Sequence, residues 1–263
     1  MKELLGHTLQ SSEAALWWLG QAGYIIKSSG QVVVIDPYLS DSANGGVAGF
    51  SRAVPVPLQP EELKADTYIV THDHLDHLDP VTIEGYRHKD YTTFIAPRLA
   101  AKKLQSQGIP AGNILVVNAG DSVTVNSLII TGVFALPTGK DVMDTTGYLI
   151  QFPNGRTVYH TSDTQFHPIV LEAAPQNPDV MLVPINGKWK NTNAEEAALF
   201  AKAVQPRYVI PNHYDIMPLN AENPEVFAWF CDHHALPGKC IIPEHSGPFT
   251  WGAVNDPSII IKN

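Results

Sequence analysis

A short segment near residue 70 combines the pattern of a buried strand with a dense group of metal-binding side chains. Residues 66–71 are mostly apolar and β-branched, which is typical of a buried strand. Directly after them, residues 72–77 contain three histidines and two aspartates. A loop at a strand end can bring these side chains to one point, where imidazole nitrogens and carboxylate oxygens suit zinc, manganese or iron. The segment predicts a metal site; the alternative is a solvated polar loop.

Composition limits the class of protein. The chain has 263 residues, of which 44% are hydrophobic and 16% charged, as in an ordinary globular protein with a large core. The net charge of -9 argues against a general nucleic-acid surface, so no nucleic-acid partner is expected. An anionic substrate would need lysine, arginine or metal charge close to the site. Eleven histidines are a high count and favour a metal centre.

The cysteines and the distribution of apolar residues bear on location. Cys231 and Cys240 form no CxxC pair, which favours two ordinary thiols in a reducing compartment. The N-terminal residues show no signal-peptide pattern, and no segment approaches the roughly 20 apolar residues that cross a bilayer. We therefore expect a cytoplasmic protein with no membrane partner.

The order of predicted elements indicates an α/β protein in two similar halves, without a linker between them. We therefore expect a single domain over residues 1–263. Each half begins with antiparallel strands and continues with alternating strands and helices. Strands are predicted at 14–19, 24–27, 32–35, 66–71, 92–96, 114–117, 121–125, 128–131, 148–152, 157–160, 179–183, 208–210, 240–242 and 249–251, and helices at 81–86, 97–107, 168–174, 193–204 and 224–233.

A long loop at residues 38–60 precedes the histidine cluster. Loops of this length are often functional, so it is predicted to be a lid over the substrate side. A tolerated surface insertion is the alternative.

Two later strand ends carry residues of the same kind. Asp163 follows the strand at 157–160, and His213 follows the strand at 208–210. Strand ends gather at one edge of an α/β sheet, and a carboxylate there can bridge two ions. The candidate ligands of a site for one or two ions are His72, His74, Asp76, His77, Asp163 and His213.

With these motifs the chain resembles the metallo-β-lactamase-fold hydrolases, whose HxHxDH pattern stands here at residues 72–77. The resemblance covers nearly the whole chain, with Asp163 and His213 in the expected order. Within the superfamily the chain looks most like the L-ascorbate-6-phosphate lactonases, through residues 17–20, 71–79, 159–163, 209–216 and 247–251.

The resemblance implies a four-layer αβ/βα sandwich with the metal site at the edge of two facing sheets. It implies one or two divalent ions, with zinc or manganese favoured and iron also suitable. The reaction would be hydrolysis of a lactone, a sugar-acid lactone similar to L-ascorbate 6-phosphate, by a metal-bound hydroxide. Asp76 would orient or deprotonate the water as well as bind metal. The partner would be a small molecule that can carry a phosphate, and a homo-oligomer is compatible with the family.

One departure from the superfamily pattern concerns a further metal-binding histidine. It would be expected within residues 131–137, where the chain has none. The lactonase branch shares this gap, so the gap favours that branch. The missing histidine leaves the first ion short of one protein ligand. A water, Asp141 or Asp144 could supply that ligand; the alternative is that only one ion binds tightly.

Outside the six candidate ligands, three residues are candidates for substrate binding: Lys188, His167 and His245. Lys188 follows a strand end and could meet a phosphate, although such lysines are more often solvated. His160 would support Asp163 or, as an equal alternative, be a core histidine bonded to the backbone. Two other functions stay open, namely a metal-dependent phosphodiesterase or nuclease on the same site, and a non-catalytic metal-binding module.

Overall fold

The computed structural model describes residues 6–252, which form two seven-stranded sheets. The sheet that begins the chain, called the N-sheet, has the order β14-β1-β2-β3-β4-β5-β6, and the second, the C-sheet, has the order β13-β12-β11-β10-β9-β8-β7. The strands are β1 Ala14–Gly20, β2 Gly23–Ser28, β3 Gln31–Ile35, β4 Thr67–Ile69, β5 Thr93–Ala96, β6 Ile114–Val116, β7 Ser122–Val125, β8 Leu128–Phe134, β9 Thr146–Gln151, β10 Thr157–His160, β11 Val180–Pro184, β12 Tyr208–Asn212, β13 Lys239–Cys240 and β14 Pro248–Trp251.

The α-helices lie where the sequence predicts them. They are α1 Pro80–Gly85, α2 Arg98–Ser106, α3 Pro168–Ala173, α4 Ala194–Val204 and α5 Pro224–His233, and short 3₁₀ turns occur at Ser42–Asn44, Pro60–Glu62, Ala111–Asn113 and Pro218–Asn220. None of the helices in the described part of the chain is long and apolar enough to cross a membrane.

The two sheets share one strand pattern. In the N-sheet, β1 to β3 are antiparallel and β3 to β6 are parallel. In the C-sheet, β7 to β10 are antiparallel and β10 to β13 are parallel. The last strand, β14, returns to pair antiparallel with β1. The carboxyl ends of the parallel strands in each sheet therefore lie at one edge, where the candidate ligands follow them.

Two adjacent tryptophans show how the layers are divided. Trp18 belongs to the core between the facing sheets, whereas Trp17 belongs to a separate core between the N-sheet and helices α1 and α2. Helices α4 and α5 cover the outer face of the C-sheet through Phe200 and Phe227. Side chains of consecutive strand residues point to opposite faces, so one strand can serve both cores. The predicted four-layer αβ/βα sandwich is confirmed.

Most strands differ from the prediction by one or two residues at an end, and β8 runs three residues further than predicted, to Phe134. Strand β4 is limited to Thr67–Ile69, although the Val70 amide still donates to the Ile95 carbonyl at 2.8 Å. Strand β12 runs two residues further than predicted, through Pro211 and Asn212, because it pairs in parallel with the end of β11. That extension brings the chain directly to His213.

Candidate metal centre

A tight turn after β4 gathers the first four candidate ligands. The amides of His77 and Leu78 both donate to the carbonyl of His74, at 3.1 and 2.7 Å. Helix α1 begins just beyond, with Asp79 accepting a hydrogen bond from the Val81 amide as its N-cap and proline at its first position. The chain thus leaves the sheet, turns through the cluster and re-enters regular structure within ten residues.

His72 and His74 form the first part of the centre. His72 Nε2 lies 3.0 Å from His74 Nδ1, so these two nitrogens converge. The Thr71 hydroxyl lies 3.0 Å from the other His72 nitrogen, Nδ1. Both rings therefore present one nitrogen to a common point.

Neither Asp141 nor Asp144 replaces the histidine that is missing from residues 131–137. Asp141 Oδ2 lies 3.2 Å from His74 Nε2, the ring nitrogen that does not face His72. Asp144 lies at the start of α2, where its carboxylate accepts from the Leu99 amide at 2.7 Å. Asp141 is thus placed to orient His74, and Asp144 lies outside the cluster.

The second part of the centre consists of Asp76, His77, Asp163 and His213. His213 Nε2 lies 3.3 Å from Asp76 Oδ2, 3.4 Å from Asp163 Oδ2 and 3.4 Å from His77 Nε2. Asp163 Oδ1 lies 3.6 Å from His77 Nε2. Two groups of three residues each have their ligand atoms within 4.8 Å of one another, and His77 belongs to both. One group is His72, His77 and Asp163; the other is Asp76, His77 and His213. The structure brings all six candidate ligands together.

The donor set fits a divalent ion. Asp163 Oδ1 is buried and has no hydrogen-bond partner among the described residues. A buried carboxylate oxygen without a partner is costly, and a cation among these nitrogens and oxygens would provide one. Imidazole and carboxylate ligands without a thiolate suit zinc, manganese or iron.

Asp36, which is not among the predicted site residues, contacts His77 at the ring nitrogen that faces away from the centre. Its fully buried carboxylate accepts from the Thr71 amide at 2.8 Å and the Thr71 hydroxyl at 2.6 Å, and lies 2.7 Å from His77 Nδ1. This leaves His77 Nε2 directed at the centre. Asp36 follows β3, the neighbour of β4, so the strand-end argument applied to Asp163 would also have found it.

Three amide side chains orient other ligands. Gln21 Nε2 donates to Asp76 Oδ2 at 2.8 Å, and Asn191 Nδ2 donates to Asp163 Oδ2 at 2.8 Å. The Asn220 side-chain nitrogen lies 2.6 Å from His213 Nδ1. These contacts join residues far apart in the chain, and no local sequence pattern marks them.

The metal-free centre is strongly ionised. Burial alone would raise the pKa of Asp163, but His213 and His77 lower it to about 2. Burial likewise opposes the charged form of Asp76, yet His77 and His213 hold its pKa well below the usual value. For His77, burial favours the neutral ring, but Asp76, Asp163 and Asp36 raise its pKa to about 10. A protonated His77 therefore compensates the buried carboxylates when no metal ion is present.

A cleft of about 400 Å³ opens above the centre. Its floor includes His74, Asp76, Asp163 and His213. The loop predicted as a lid contributes Ala43 and Phe50 to the cleft wall. That loop is fixed by Ser40 and Ser42, whose hydroxyls both donate to Asp79 Oδ1, at 2.9 and 2.8 Å. The loop therefore borders the cleft, and its role as a lid stays a prediction.

The three predicted substrate-binding residues lie outside the cleft lining. Lys188 Nζ donates to the Ala221 carbonyl at 3.0 Å, and His167 is the exposed N-cap of α3. His245 lies 2.6 Å from Asp215 Oδ2 and stacks on Trp18, with ring centroids 4.3 Å apart. The geometry gives no support to a substrate contact for any of the three.

His160 is a core histidine. It is fully buried, its Nε2 lies 2.9 Å from the Ala22 carbonyl, and its Nδ1 accepts from the Ser162 amide at 3.0 Å. Burial lowers the pKa of His160, so the ring is neutral. Of the two alternatives from the sequence, the backbone-bonded core residue is the one observed.

Comparisons with known proteins agree with the fold. The model of the β-lactamase superfamily domain matches residues 15–213. A UPF0173 metal-dependent hydrolase of Archaeoglobus fulgidus is 32% identical over 221 residues, which is 80% of this chain and 87% of that protein. One of Methanosphaera stadtmanae is 30% identical over 216 residues, 78% of this chain and 85% of that protein.

A solved structure shows the same fold. Igni18, a metallo hydrolase from Ignicoccus hospitalis, superposes with a TM-score of 0.73 at 23% identity, covering 91% of this chain and 98% of Igni18. The superfamily predicted from the sequence is confirmed. The L-ascorbate-6-phosphate lactonase branch is not, and it stays a prediction.

Proposed function

We propose that the substrate of this chain is a lactone or another carboxylic ester. The premise is that the chain belongs to the β-lactamase superfamily domain family and to its UPF0173 metal-dependent hydrolases. The chain is a metal-dependent hydrolase of the metallo-β-lactamase superfamily. The observation that carries the proposal is the convergence of six imidazole and carboxylate side chains, four of which line the floor of one cleft. Lactone hydrolysis is the reaction that the flanking motifs at residues 17–20 and 209–216 favour.

The ligands have distinct tasks. His72 and His74 would hold one ion, Asp76, His77 and His213 the other, and Asp163 lies between the two groups. A divalent ion, when bound, supplies a Lewis acid for a carbonyl oxygen and lowers the pKa of water toward neutrality.

Asp76 is the residue best placed to act on the attacking water. It lines the cleft, and its side chain is 17% exposed, whereas the His77 side chain is fully buried. Gln21 Nε2 donates to Asp76 Oδ2, and the lowered pKa of Asp76 keeps its carboxylate ionised, as an acceptor for a hydrogen bond from that water. Asp76 can therefore orient a water toward a carbonyl carbon in the cleft.

The test is hydrolysis of simple lactones by the metal-loaded protein and by His74→Ala. We expect His74→Ala to reduce kcat/KM by at least about 100-fold, because a removed ligand costs more than the 10–100-fold typical of residues that orient ligands. His167→Ala is the matched control, since His167 lies outside the cleft, and it should retain full turnover.

Equal lactone turnover by the wild type and His74→Ala would contradict the proposal. Cleavage of bis-p-nitrophenyl phosphate without any lactone turnover would instead indicate the phosphodiesterase. Metal analysis after reconstitution gives an independent readout. If the wild-type protein bound no stoichiometric metal, metal-dependent hydrolysis would be contradicted, whereas metal binding without turnover of any of these substrates would favour the non-catalytic metal-binding module.

A further inference from the structure

Two aromatic side chains form a wall of the cleft above the metal centre. Phe50 from the 38–60 loop and Trp189 from the turn after β11 have ring centroids 5.6 Å apart, at an interplanar angle of 33°. Leu75 and Met217 also line the cleft. A cleft of about 400 Å³ with one aromatic side and a polar floor fits a small molecule with a flat apolar group.

Apart from the metal centre, the described lining of the cleft offers no cation for a phosphate. Outside the ligand cluster, the one charged side chain among the described lining residues is that of Asp141, and none is lysine or arginine. The exposed Lys140 and Lys190 neighbour lining residues but do not line the cleft themselves. Arg52 also lies outside the cleft lining, and its Nη1 donates to the Tyr38 carbonyl at 2.8 Å. Arginine and lysine side chains bind phosphate through charge-assisted hydrogen bonds. The charged residue of the described lining outside the ligand cluster is instead Asp141, whose carboxylate repels a phosphate.

Trp189 occupies a conformation that its side chain disfavours. Its φ is +49° and the following Lys190 has φ +72°, both in the left-handed region. Such a conformation is strained for a non-glycine residue, and conformations of this kind concentrate at functional sites. The turn is closed by the Asn191 amide, which donates to the Lys188 carbonyl at 2.9 Å.

That turn also connects the aromatic wall to the metal centre. Asn191, two residues after Trp189, donates its side-chain amide to Asp163. Trp189 remains 52% exposed, so its ring is available to a ligand. On the opposite side, the loop with Phe50 is tied to the segment after His213, because the Leu219 amide donates to the Gly49 carbonyl at 3.0 Å. Trp189 is thus linked through Asn191 to the ligand Asp163, and the loop of Phe50 is linked to the segment that follows the ligand His213.

We propose that the cleft selects an uncharged lactone or ester with an aromatic or flat apolar group, which Phe50 and Trp189 hold while the reacting carbonyl lies over His74, Asp76 and Asp163. The inference rests on the proposed function and narrows it to substrates without phosphate. It makes Trp189 a residue that determines specificity.

The experiment compares three lactones on the metal-loaded protein: dihydrocoumarin, which has an aromatic ring, γ-butyrolactone, which has none, and 6-phosphoglucono-δ-lactone. We expect the highest kcat/KM with dihydrocoumarin. Trp189→Ala should raise the KM for dihydrocoumarin about five- to tenfold, with a smaller effect on kcat, and Trp189→Phe should restore most of the loss. Trp229→Ala is the control, because Trp229 is an exposed tryptophan on α5, outside the cleft.

Two results would overturn the inference while the proposed function stands. One is a higher kcat/KM for the phosphorylated lactone, and the other is an unchanged dihydrocoumarin KM in Trp189→Ala. If no lactone were hydrolysed, binding would decide, measured by isothermal titration with the unreactive ketone 2-tetralone and with glucose 6-phosphate. Binding of 2-tetralone that Trp189→Ala weakens supports the inference, whereas binding of glucose 6-phosphate alone, or of neither probe, contradicts it.

Discussion

At the scale of single residues, the centre depends on groups that orient ligands as much as on the ligands. Asp36 is the clearest case, because its carboxylate is fully buried and engages both Thr71 and His77. A carboxylate on the far nitrogen of a ligating histidine fixes the tautomer and makes the near nitrogen a better ligand. Asp36 thereby determines which His77 nitrogen faces the metal.

Replacement of this carboxylate by an amide tests that role. We expect Asp36→Asn to fold, because the shape is retained, and to bind zinc or manganese about 10–100-fold more weakly. Metal titration monitored by calorimetry measures the effect. Asp179→Asn is the matched control: Asp179 accepts from the Thr157 amide at 2.9 Å, away from the centre, so its replacement should leave metal affinity unchanged. Wild-type metal affinity in Asp36→Asn would contradict the assigned role.

At the scale of elements, Gly20 at the end of β1 lets the segment after β12 approach β1 closely near the site. A Cβ added to Gly20 would collide with the Ile216 side chain, and the residue has φ +98°. The adjacent Gln21 accepts from the His213 amide at 3.0 Å through its carbonyl. The strand end and the His213 segment therefore approach each other because residue 20 has no side chain.

Gly20→Ala should accordingly destabilise the protein by about 1–3 kcal/mol and weaken metal binding about tenfold, because the His213 segment has to move. Chemical denaturation and metal titration measure the two effects. Gly30→Ala is the control, since Gly30 has φ +76° with nothing near its added Cβ, so it carries the backbone strain without the collision. The double variant Gly20→Ala/Ile216→Val should recover part of both losses. Equal metal affinity in the two glycine variants would argue against the collision.

The positions of the strands were predictable because most strands are short apolar runs bounded by glycine, proline and asparagine. The runs are apolar because each sheet packs against a core on both of its faces. The ligands Asp163 and His213 were predictable for the same reason, since strand ends meet at one edge of a sheet. Gln21 and Asn220 were not, because each acts through one contact that only the tertiary packing creates. Lys188 follows a strand end, which from the sequence allows a phosphate contact, whereas in the structure its amine donates to the Ala221 carbonyl.

At the scale of the whole molecule, the metal centre joins the two sheets. His72, His74, Asp76 and His77 follow β4 of the N-sheet, whereas Asp163 and His213 follow β10 and β12 of the C-sheet. An ion held by both groups binds only the folded arrangement, so it stabilises the sandwich according to its concentration relative to its Kd. Without the ion, the protonated His77 is the positive charge between carboxylates from both sheets.

The contribution of His77 makes metal stabilisation depend on pH. In the metal-free protein the pKa of His77 is raised from 6.5 to about 10, so its stabilising charge is fully present below pH 6.5 and is lost as the pH rises toward 10. The pKa of Asp163, lowered from 3.8 to about 2, adds a contribution that is lost only in acid, below this window. A bound ion replaces the His77 proton, and the metal-loaded protein does not undergo the alkaline loss.

We therefore expect the difference in Tm between metal-loaded and metal-free protein to grow as the pH rises from 6.5 toward 10. Thermal unfolding of both forms over a series of pH values measures it, and groups that titrate equally in the two forms cancel in the difference. His245→Gln is the control, because His245 pairs with Asp215 outside the cleft, and it should leave the trend unchanged. A difference that stayed constant or shrank with rising pH would show that His77 does not compensate the carboxylates that join the two sheets.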